Sequence, residues 1–423
     1  MLRRRMLLAL LPLPLLGADW PRFLGSDGLG HSEAIKLTDR EKLEPNIRWK
    51  VSLPGKGWSS PVVVGDKIYL TTAIPTGPAG AKPDQNLEVL CLDASDGKTV
   101  WQTKIITQKG DNSPNIHPKN SHASPTITAK GDRLFAHFGH MGTACLDTSG
   151  KILWQTAGLY TRPQHGGGGS PVLVDDLLVF SADGLDLQAV FALHTKDGKI
   201  AWKAERNAKP QRAFSFTTPT VVTRNGWKML LSPGSEVIMA LDTQTGSEIW
   251  RLPYKGYSVI PRPAIHGDLA IFSTSYDTAS LIAVKITESG LLDEKAIAWK
   301  MTKGAPHTPS PLIVGDLLFL ISDNGIASCV DPQTGKVHWQ ERVGGSYSAS
   351  PFFEAASSNI AGPGTGTIWL QSEEGEIIRL AAQNTYKKLG KFDLKERTLA
   401  SHATANGNLY IRTEGHLMCL GAK

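Results

Sequence analysis

The sequence predicts an all-β protein with the architecture of an eight-bladed β-propeller. Three observations lead to this prediction. A short motif recurs roughly every 49 residues, each copy contains the same order of turns, and most copies end in a tryptophan strand. A period of this length is typical of propeller blades, each of which is one small antiparallel sheet.

Each copy of the repeat begins with a serine–proline pair, or a similar pair, just before an apolar run. Seven copies begin at Ser60-Pro61, Ser124-Pro125, Ser170-Pro171, Thr218-Pro219, Arg262-Pro263, Ser310-Pro311 and Ser350-Pro351, and a weaker eighth begins at Ser401-His402. We therefore expect each pair to lead into the first strand of a blade.

The remainder of each copy alternates apolar runs with turn residues. The first run ends at a pair such as Gly315-Asp316, where glycine and aspartate suit the positive φ of a tight hairpin. A second strand follows, and a third ends as in Ala240-Leu241-Asp242. A glycine-containing turn then leads to a tryptophan strand, as in Gly246 to Trp250. Four short strands per copy make one blade.

The position of the tryptophan strands predicts how the ring closes. Copies one to six end at Trp101, Trp154, Trp202, Trp250, Trp299 and Trp339. The eighth copy ends at Leu420, before a fourth strand can form, whereas Asn46 to Val51 is a tryptophan strand with no copy before it. We expect this N-terminal strand to complete the eighth blade, because closure removes the unpaired edges that an open array would expose.

The repeated tryptophans and the four cysteines both follow the repeat. A large ring on each outermost strand fills the gap between blades, so a structural role is expected for these tryptophans. Cys91, Cys145, Cys329 and Cys419 occupy the position that alanine holds in other copies. Equivalent positions on different blades lie too far apart for a disulfide, so we expect four buried free thiols.

Residues 1–18 read as a signal peptide, residues 19–45 as an N-terminal arm and residues 46–423 as the propeller. Arg3, Arg4 and Arg5 precede a short apolar region and the small residues Gly17-Ala18. The paired arginines also loosely resemble a twin-arginine signal. No cysteine for a lipid anchor follows, and no later run is long enough to span a bilayer. The mature chain is expected in the periplasm or outside the cell.

Residues Ala240 to Trp250 read Ala-x-Asp-x-x-Thr-Gly-x-x-x-Trp, and Cys329 to Trp339 repeat this pattern with cysteine in place of alanine. The pattern resembles the tryptophan-docking repeat of the quinoprotein alcohol dehydrogenase-like family, and the resemblance covers nearly the whole mature chain. It implies an eight-bladed propeller. Members of that family include dehydrogenases that use pyrroloquinoline quinone and a non-enzymatic scaffold of the outer-membrane assembly machinery. Asp19 to Gly25 also looks like the arm of many secreted, uncharacterised members.

The chain departs from the dehydrogenases of this family in two respects. Those enzymes characteristically have adjacent cysteines beneath the quinone, and no two cysteines are neighbours here. They also hold calcium with acidic and amide side chains, whereas the loops that could reach such a site are nearly free of acids here. We therefore expect no cofactor, with pyrroloquinoline quinone and calcium as the alternative. The lipid-anchored scaffold role is also not expected, because the anchor cysteine is missing.

The loops that join each tryptophan strand to the next blade emerge on one face, which we call the loop face. These are residues 55–60, 107–124, 157–170, 204–218, 253–262, 301–310, 342–350 and 394–402, and they contain 13 Lys or Arg against 3 Asp or Glu. The net charge of +6 becomes +3 when the three signal-peptide arginines are removed. This asymmetry favours an anionic ligand or an acidic partner surface, the alternative being solvated charge.

Histidines and aromatic residues on the same loops complete the candidate site. A metal would need three or four converging ligands, and no metal-binding spacing is present, so hydrogen-bonding histidines are expected instead. The aromatic residues either stack on a flat ligand or plug the channel. The candidate ligand face comprises Trp58, His122, His165, Arg212, Tyr257, Arg262, His307, Tyr347 and His402.

The sequence therefore predicts an exported, monomeric, non-enzymatic binding or scaffold propeller with no catalytic residue set. Its partner would be a protein, an anionic small molecule or a saccharide. Nucleic acid is not expected, because aromatic and basic recognition motifs are missing. The alternative is an enzyme, either a quinoprotein-like oxidoreductase or a propeller lyase that acts on an acidic saccharide.

Overall fold

Eight antiparallel sheets form a ring in this protein, which we describe from a computed structural model. The structure describes residues 19–36, 46–77, 82–224, 226–287, 289–356 and 366–421, and the predicted signal peptide lies outside these ranges. Neighbouring sheets contact one another through their innermost strands. The prediction of an eight-bladed β-propeller is confirmed.

Two short segments precede the first blade, and blades one to four then follow in chain order from the innermost strand to the outermost. The strands are β1 (His31–Ser32), β2 (Ile47–Ser52), β3 (Val62–Val64), β4 (Lys67–Thr76), β5 (Asp84–Asp93), β6 (Thr99–Gln108), β7 (Thr128–Lys130), β8 (Arg133–His137), β9 (Thr143–Asp147), β10 (Ile152–Thr156), β11 (Val172–Val174), β12 (Leu177–Asp183), β13 (Gln188–His194), β14 (Ile200–Glu205), β15 (Thr220–Arg224), β16 (Trp227–Gly234), β17 (Val237–Asp242) and β18 (Glu248–Pro253).

Blades five to eight continue the same order, and β22 adds a parallel strand to the outer edge of blade four. The strands are β19 (Ala264–His266), β20 (Leu269–Ser273), β21 (Leu281–Lys285), β22 (Gly290–Leu291), β23 (Ile297–Met301), β24 (Leu312–Val314), β25 (Leu317–Ile321), β26 (Ile326–Val330), β27 (Val337–Arg342), β28 (Phe352–Ala355), β29 (Gly366–Gln371), β30 (Glu376–Ala381), β31 (Lys388–Asp393), β32 (Ala403–Ala405), β33 (Asn408–Arg412) and β34 (His416–Leu420). Three single-turn 3-10 helices cover Gly110–Asn112, Gly139–Met141 and Glu294–Ala296.

The hydrophobic core is divided into layers that lie between neighbouring blades. The second strand of blade six, β25, is buried along its whole length, because a neighbouring blade covers each of its faces. One layer joins Val62 and Tyr69 of blade one to Leu134 and Leu146 of blade two. The apolar surface of each blade is thus removed from water by its neighbours, so the stability of a blade depends on the continuity of the ring.

The N-terminal strand closes the ring as predicted. Strand β2 pairs antiparallel with β34, and Trp49 lies opposite Cys419. Blade eight therefore takes its outermost strand from the beginning of the chain and its other three strands from the end. The strand spans Ile47 to Ser52, one residue later than the predicted Asn46 to Val51.

The repeat tryptophans pack against the following blade, and, among the described residues, all of them except Trp250 also donate an indole hydrogen bond to it. The indole Nε1 of Trp202 donates to the carbonyl oxygen of Thr243 at 3.1 Å, and its ring lies on Gly246 of the same turn. Equivalent bonds join Trp49, Trp101, Trp154, Trp299 and Trp339 to Ala94, Thr148, Thr195, Pro332 and Gln383. Glycine is required in several of these turns because a Cβ atom there would overlap the ring.

The four cysteines lie directly opposite these tryptophans in the sheets, as Cys91 lies opposite Trp101. A small side chain is needed at this position because the indole ring covers it. All four cysteines are buried and free, in agreement with the sequence. Burial raises the pKa of the Cys91 thiol to about 12, so the thiolate is disfavoured.

The N-terminal arm crosses the end of the channel opposite the loop face. Trp20 pairs with Val63 through two backbone hydrogen bonds, and Lys36 donates its backbone N–H to Gly407 of blade eight. Between these contacts, β1 pairs in parallel with β28 on the channel side of blade seven. The arm therefore closes the channel at this end. Within the described residues, no helix is long and apolar enough to cross a membrane.

Candidate functional site

A cavity of about 550 Å³ lies at the loop-face end of the channel. Phe23 of the N-terminal arm contributes to its lining from the side that the arm closes, so the cavity opens toward the loop face. The other lining residues come from loops and strand beginnings of many blades, and they include Trp58, Ser60, His117, Lys119, Asn120, Ser124, Thr126, Gln164, His165, Ser170, Gln211, Arg212, Phe214, Phe216, Thr218, Tyr257, Tyr276, Thr308, Ser310, Ser350, Leu399 and Ser401.

A ring of hydroxyl groups surrounds the cavity at the level where the first strands begin. Six serine and threonine residues form this ring. The hydroxyl oxygen of each accepts a hydrogen bond from the equivalent backbone N–H of the preceding blade, at 2.9–3.0 Å. The accepting residues are Thr126, Ser170, Thr218, Ser310, Ser350 and Ser401. This inter-blade bond gives a physical reason for the repeated serine or threonine. In copy two the residue is Thr126, two positions after the predicted Ser124.

Arg262 takes the place of the hydroxyl residue in blade five and leaves the ring open there. Its guanidinium donates to the carbonyl oxygen of Gly28 in the N-terminal arm. Burial, together with the nearby Arg22, lowers the pKa of Arg262 to about 10. Arg262 is absent from the cavity lining, so its predicted place on the ligand face is corrected: its side chain contacts the N-terminal arm instead.

Six aromatic rings follow one another beside the cavity, and we call them the aromatic arc; five of the six line the cavity. Neighbouring ring centroids are 5.1–6.0 Å apart, which is the range of favourable ring contacts. In order, the arc comprises His117, His165, Phe214, Tyr257, Tyr276 and His307. The arc extends from blade two to blade six because each ring comes from a loop or turn at the same height.

The lining carries positive charge and no acidic side chain. Lys119 forms an ion pair with Glu373, at 2.8 Å, and so is largely neutralised. Arg212 is exposed and lies over the ring of Tyr257, with its guanidinium carbon 4.4 Å from the ring centroid. In the described part of the chain, no carboxylate lies within ion-pair distance of Arg212. Burial and the nearby His117 lower the pKa of His165, which keeps that ring neutral at pH 7.

The structure brings together four of the nine candidate residues and places five elsewhere. Trp58, His165, Arg212 and Tyr257 line the cavity. Tyr347 and His402 are buried between blades instead, with 0% and 2% of their surfaces exposed. These two are corrected because their side chains turn into the apolar layers, where His402 contacts Phe352.

Two further histidines lie outside the lining, which corrects their predicted place on the ligand face. His307 ends the aromatic arc, its ring 5.1 Å from that of Tyr276, and its backbone N–H donates to Asp323. His122 is half-buried, and burial together with the nearby Lys82 lowers its pKa. Whether the four residues that do line the cavity bind a ligand remains a prediction.

The predicted charge of the loop face is too high. The turns between the second and third strands of each blade also emerge on this face, and they were not counted. They add one lysine, Lys82, and seven acidic residues, namely Asp186, Glu236, Asp277, Asp323, Glu373, Glu374 and Glu414. With these turns included, the loop face carries 14 Lys or Arg against 10 Asp or Glu, so its excess of positive charge is smaller than the loops alone indicate.

Several lining residues were not identified from the sequence. Phe23 comes from the arm and Tyr276 from a turn between the second and third strands, and neither segment was considered as part of the site. Asn120 holds the His165 loop through a bond from its amide to the His165 carbonyl oxygen at 2.7 Å. Alternation of up and down strands places the second turn of each blade at the loop face, which is the signal that could have found Tyr276.

Comparison with known families identifies relatives of this ring. The family model described as "Outer membrane protein assembly factor BamB" matches residues 44–157 and 85–341, which together cover more than half of the chain. The chain belongs to this family. The BamB proteins of Yersinia pestis and Moranella endobia are 22% and 20% identical over 379 and 303 residues. These alignments cover 86% and 69% of this chain, and 77% and 72% of those BamB proteins.

Solved structures share the fold with this member of the BamB family. BamB from Moraxella catarrhalis superposes with a TM-score of 0.58 at 14% identity, covering 89% of this chain and 100% of that chain. Quinohemoprotein alcohol dehydrogenase from Comamonas testosteroni superposes with a TM-score of 0.70 at 11% identity, covering 96% and 81%. At this identity the likeness shows the fold alone.

The residues that line the cavity do not fit a calcium site. Calcium takes oxygen ligands, most of them carboxylates, and no acidic residue lines this cavity. Across the residues that the structure describes, no group of three or more His, Cys, Asp or Glu side chains is placed to hold a metal. The four cysteines are buried in separate blades, and none of them lines the cavity.

Proposed function

We propose that this protein is an exported, non-enzymatic binding propeller that holds an anionic group in its loop-face cavity. The observation that supports this proposal is the donor-rich lining: a ring of hydroxyl groups, Arg212 and no acidic side chain. Donors held in place by the ring favour a ligand that brings acceptors and negative charge.

Export is part of this proposal. Residues 1–18 have the basic, apolar and small-residue segments of a signal peptide. The two curated relatives are named as outer membrane protein assembly factors, which is consistent with a periplasmic location for this chain.

The family also favours a second candidate, in which the occupant of the cavity is an acidic segment of a protein partner and the propeller is a scaffold. The matched family and both relatives are named for outer-membrane protein assembly. Cross-linking from a photoreactive residue at Gln211, which is exposed and lines the cavity, tests this candidate. A defined cross-linked protein supports the scaffold, and cross-links to no protein in the exporting cell contradict it.

A thermal-shift panel of anions tests the binding proposal. We expect citrate, tripolyphosphate or galacturonate to raise the melting temperature, because a ligand that binds the folded state stabilises it. The shift should decrease with salt, since ionic screening acts over ~8 Å at physiological strength. Arg212→Ala should weaken binding by about 1.5–3 kcal/mol, the value of a charge-assisted hydrogen bond.

Arg342→Ala is the matched control, because Arg342 is exposed on the same face but does not line the cavity. It should respond to the anions as the wild-type protein does. The proposal fails if no anion shifts the wild-type melting curve, or if Arg212→Ala responds as strongly as the control.

A further inference from the structure

We infer that the anion held in the cavity is a sugar carboxylate, and that the site takes the end of a uronic-acid-containing saccharide. The inference rests on the proposed anion-binding function and specifies its ligand class. Three features support it: the aromatic arc, the hydroxyl hydrogens of the hydroxyl ring that remain available to a ligand, and Arg212, the one lining cation that no described carboxylate neutralises.

The aromatic arc offers ring surfaces to the cavity, and the Arg212 guanidinium covers one face of Tyr257. Phe214, Tyr257 and Tyr276 line the cavity, and their contacts with one another hold the rings in place. An aromatic face is electron-rich and attracts groups with positive edges. The C–H bonds on one side of a pyranose ring form such a surface, whereas citrate and polyphosphate have none. The arc therefore favours a ring-shaped ligand over other anions.

The hydroxyl ring is arranged to donate. The oxygens of Ser170, Ser310 and their four equivalents each accept a backbone N–H, which fixes their position. Among the described residues, none of these six hydroxyls donates to a protein acceptor, so each keeps one proton for a ligand. A saccharide presents ring, hydroxyl and carboxylate oxygens at several positions around its edge. Such a ligand matches donors that are spread around a circle better than a compact anion does.

The charge of the lining matches one carboxylate. Glu373 neutralises Lys119, while Arg212 keeps a guanidinium that no carboxylate pairs. Its planar fork binds a carboxylate through two parallel hydrogen bonds. A polyphosphate would need several unpaired cations, so the single one here favours a ligand with one negative charge per ring.

The shape of the cavity favours the end of a saccharide chain over its middle. Its volume of about 550 Å³ is within the range of small-molecule sites. The arm closes the channel beneath it, with Phe23 in the lining, so a polymer cannot thread through the ring. We therefore expect a terminal sugar, or a short saccharide, to enter from the loop face.

Calorimetric titration of the full mature chain tests this inference with four probes: galacturonic acid trimer, glucuronate, maltotriose and citrate. We expect the trimer to bind about 10-fold or more tightly than neutral maltotriose, since a charge-assisted bond contributes about that factor or more. Arg212→Gln should reduce the affinity for the trimer by about 10- to 100-fold, and Arg342→Gln should leave it unchanged.

Tyr276→Leu separates stacking from charge. This change removes one aromatic ring of the arc. It should reduce the affinity for the trimer by about 2- to 10-fold and leave the affinity for citrate unchanged. Circular dichroism establishes that each variant is folded. Binding of citrate at least as tight as that of the trimer, or of maltotriose equal to the trimer, overturns the saccharide inference while the anion site stands. Binding of none of the charged probes overturns the anion site as well.

Discussion

The indole of Trp49 donates a hydrogen bond of 3.1 Å to the carbonyl oxygen of Ala94, across the seam where the two ends of the ring meet. Trp49 belongs to the outermost strand of blade eight, whereas Ala94 lies in a turn of blade one. The same ring lies against Gly97. One side chain thus fastens the last blade to the first.

Replacement of this tryptophan should open the seam. Trp49→Ala removes the indole ring that packs between blade eight and blade one. We expect the free energy of unfolding to fall by about 3 kcal/mol, as for other large-to-small core changes. Denaturant unfolding measures this change. Trp227→Ala is the matched control, because Trp227 is 43% exposed and should change the stability by less than about 0.5 kcal/mol. Equal effects of the two changes would contradict the closure at β2.

Glycine beneath a docked tryptophan should be irreplaceable. At Gly246, with φ of +73°, an added Cβ atom would lie 2.6 Å from the Trp202 ring. Gly246→Ala should therefore cost about 2–4 kcal/mol, combining the left-handed backbone with the overlap. Gly131 also has a positive φ, of +59°, but an added Cβ atom there meets nothing within 4 Å. Gly131→Ala should cost about 1 kcal/mol, and equal melting temperatures for the two variants would argue against docking.

The cysteines should resist alkylation until the ring unfolds. Burial raises the pKa of Cys329 to about 12 and that of Cys145 to about 11, so the reactive thiolate is scarce as well as inaccessible. Mass spectrometry after treatment with iodoacetamide, without reductant, should find the folded protein unmodified and the unfolded protein alkylated at all four thiols. A linked Cys91–Cys145 peptide would refute the assignment of free thiols.

Stability should decrease with acidity because two histidines are buried. Burial lowers the pKa of His402 and that of His137 to about 3, from an ordinary value of 6.5. Between these values the unfolded chain binds protons that the folded chain cannot, so each histidine removes up to about 1.4 kcal/mol of stability per pH unit below pH 6.5.

His402→Leu isolates one of these two contributions. Within the described residues, neither ring nitrogen of His402 has a hydrogen-bond partner, so the change removes a buried polar group. We expect urea unfolding at pH 7.5 and pH 5 to show a smaller difference for this variant than for the wild type. An unchanged difference would mean that His402 is accessible to protons in the folded state.

The fold could be predicted because each blade repeats a local pattern. Turn pairs, a small residue and a tryptophan recur in register, so even the closure by Trp49 follows from counting strands. The cavity could not be predicted in the same way, because a loop position does not determine where its side chain points. Tyr347 and Tyr257 occupy similar loops, yet Tyr347 packs between blades while Tyr257 lines the cavity. Phe23 reaches the site from a segment that precedes the repeats.

The closure of blade eight also sets the order in which the protein is completed. Strand β2 precedes blades one to seven in the chain, whereas its hydrogen-bonding partner β34 follows them, and Arg48 bonds to Asn408 360 residues away. During biosynthesis strand β2 can pack against blade one through Trp49, but its backbone edge stays unpaired until β34 has been made. Strand β2 therefore presents an open edge while blades one to seven are being made.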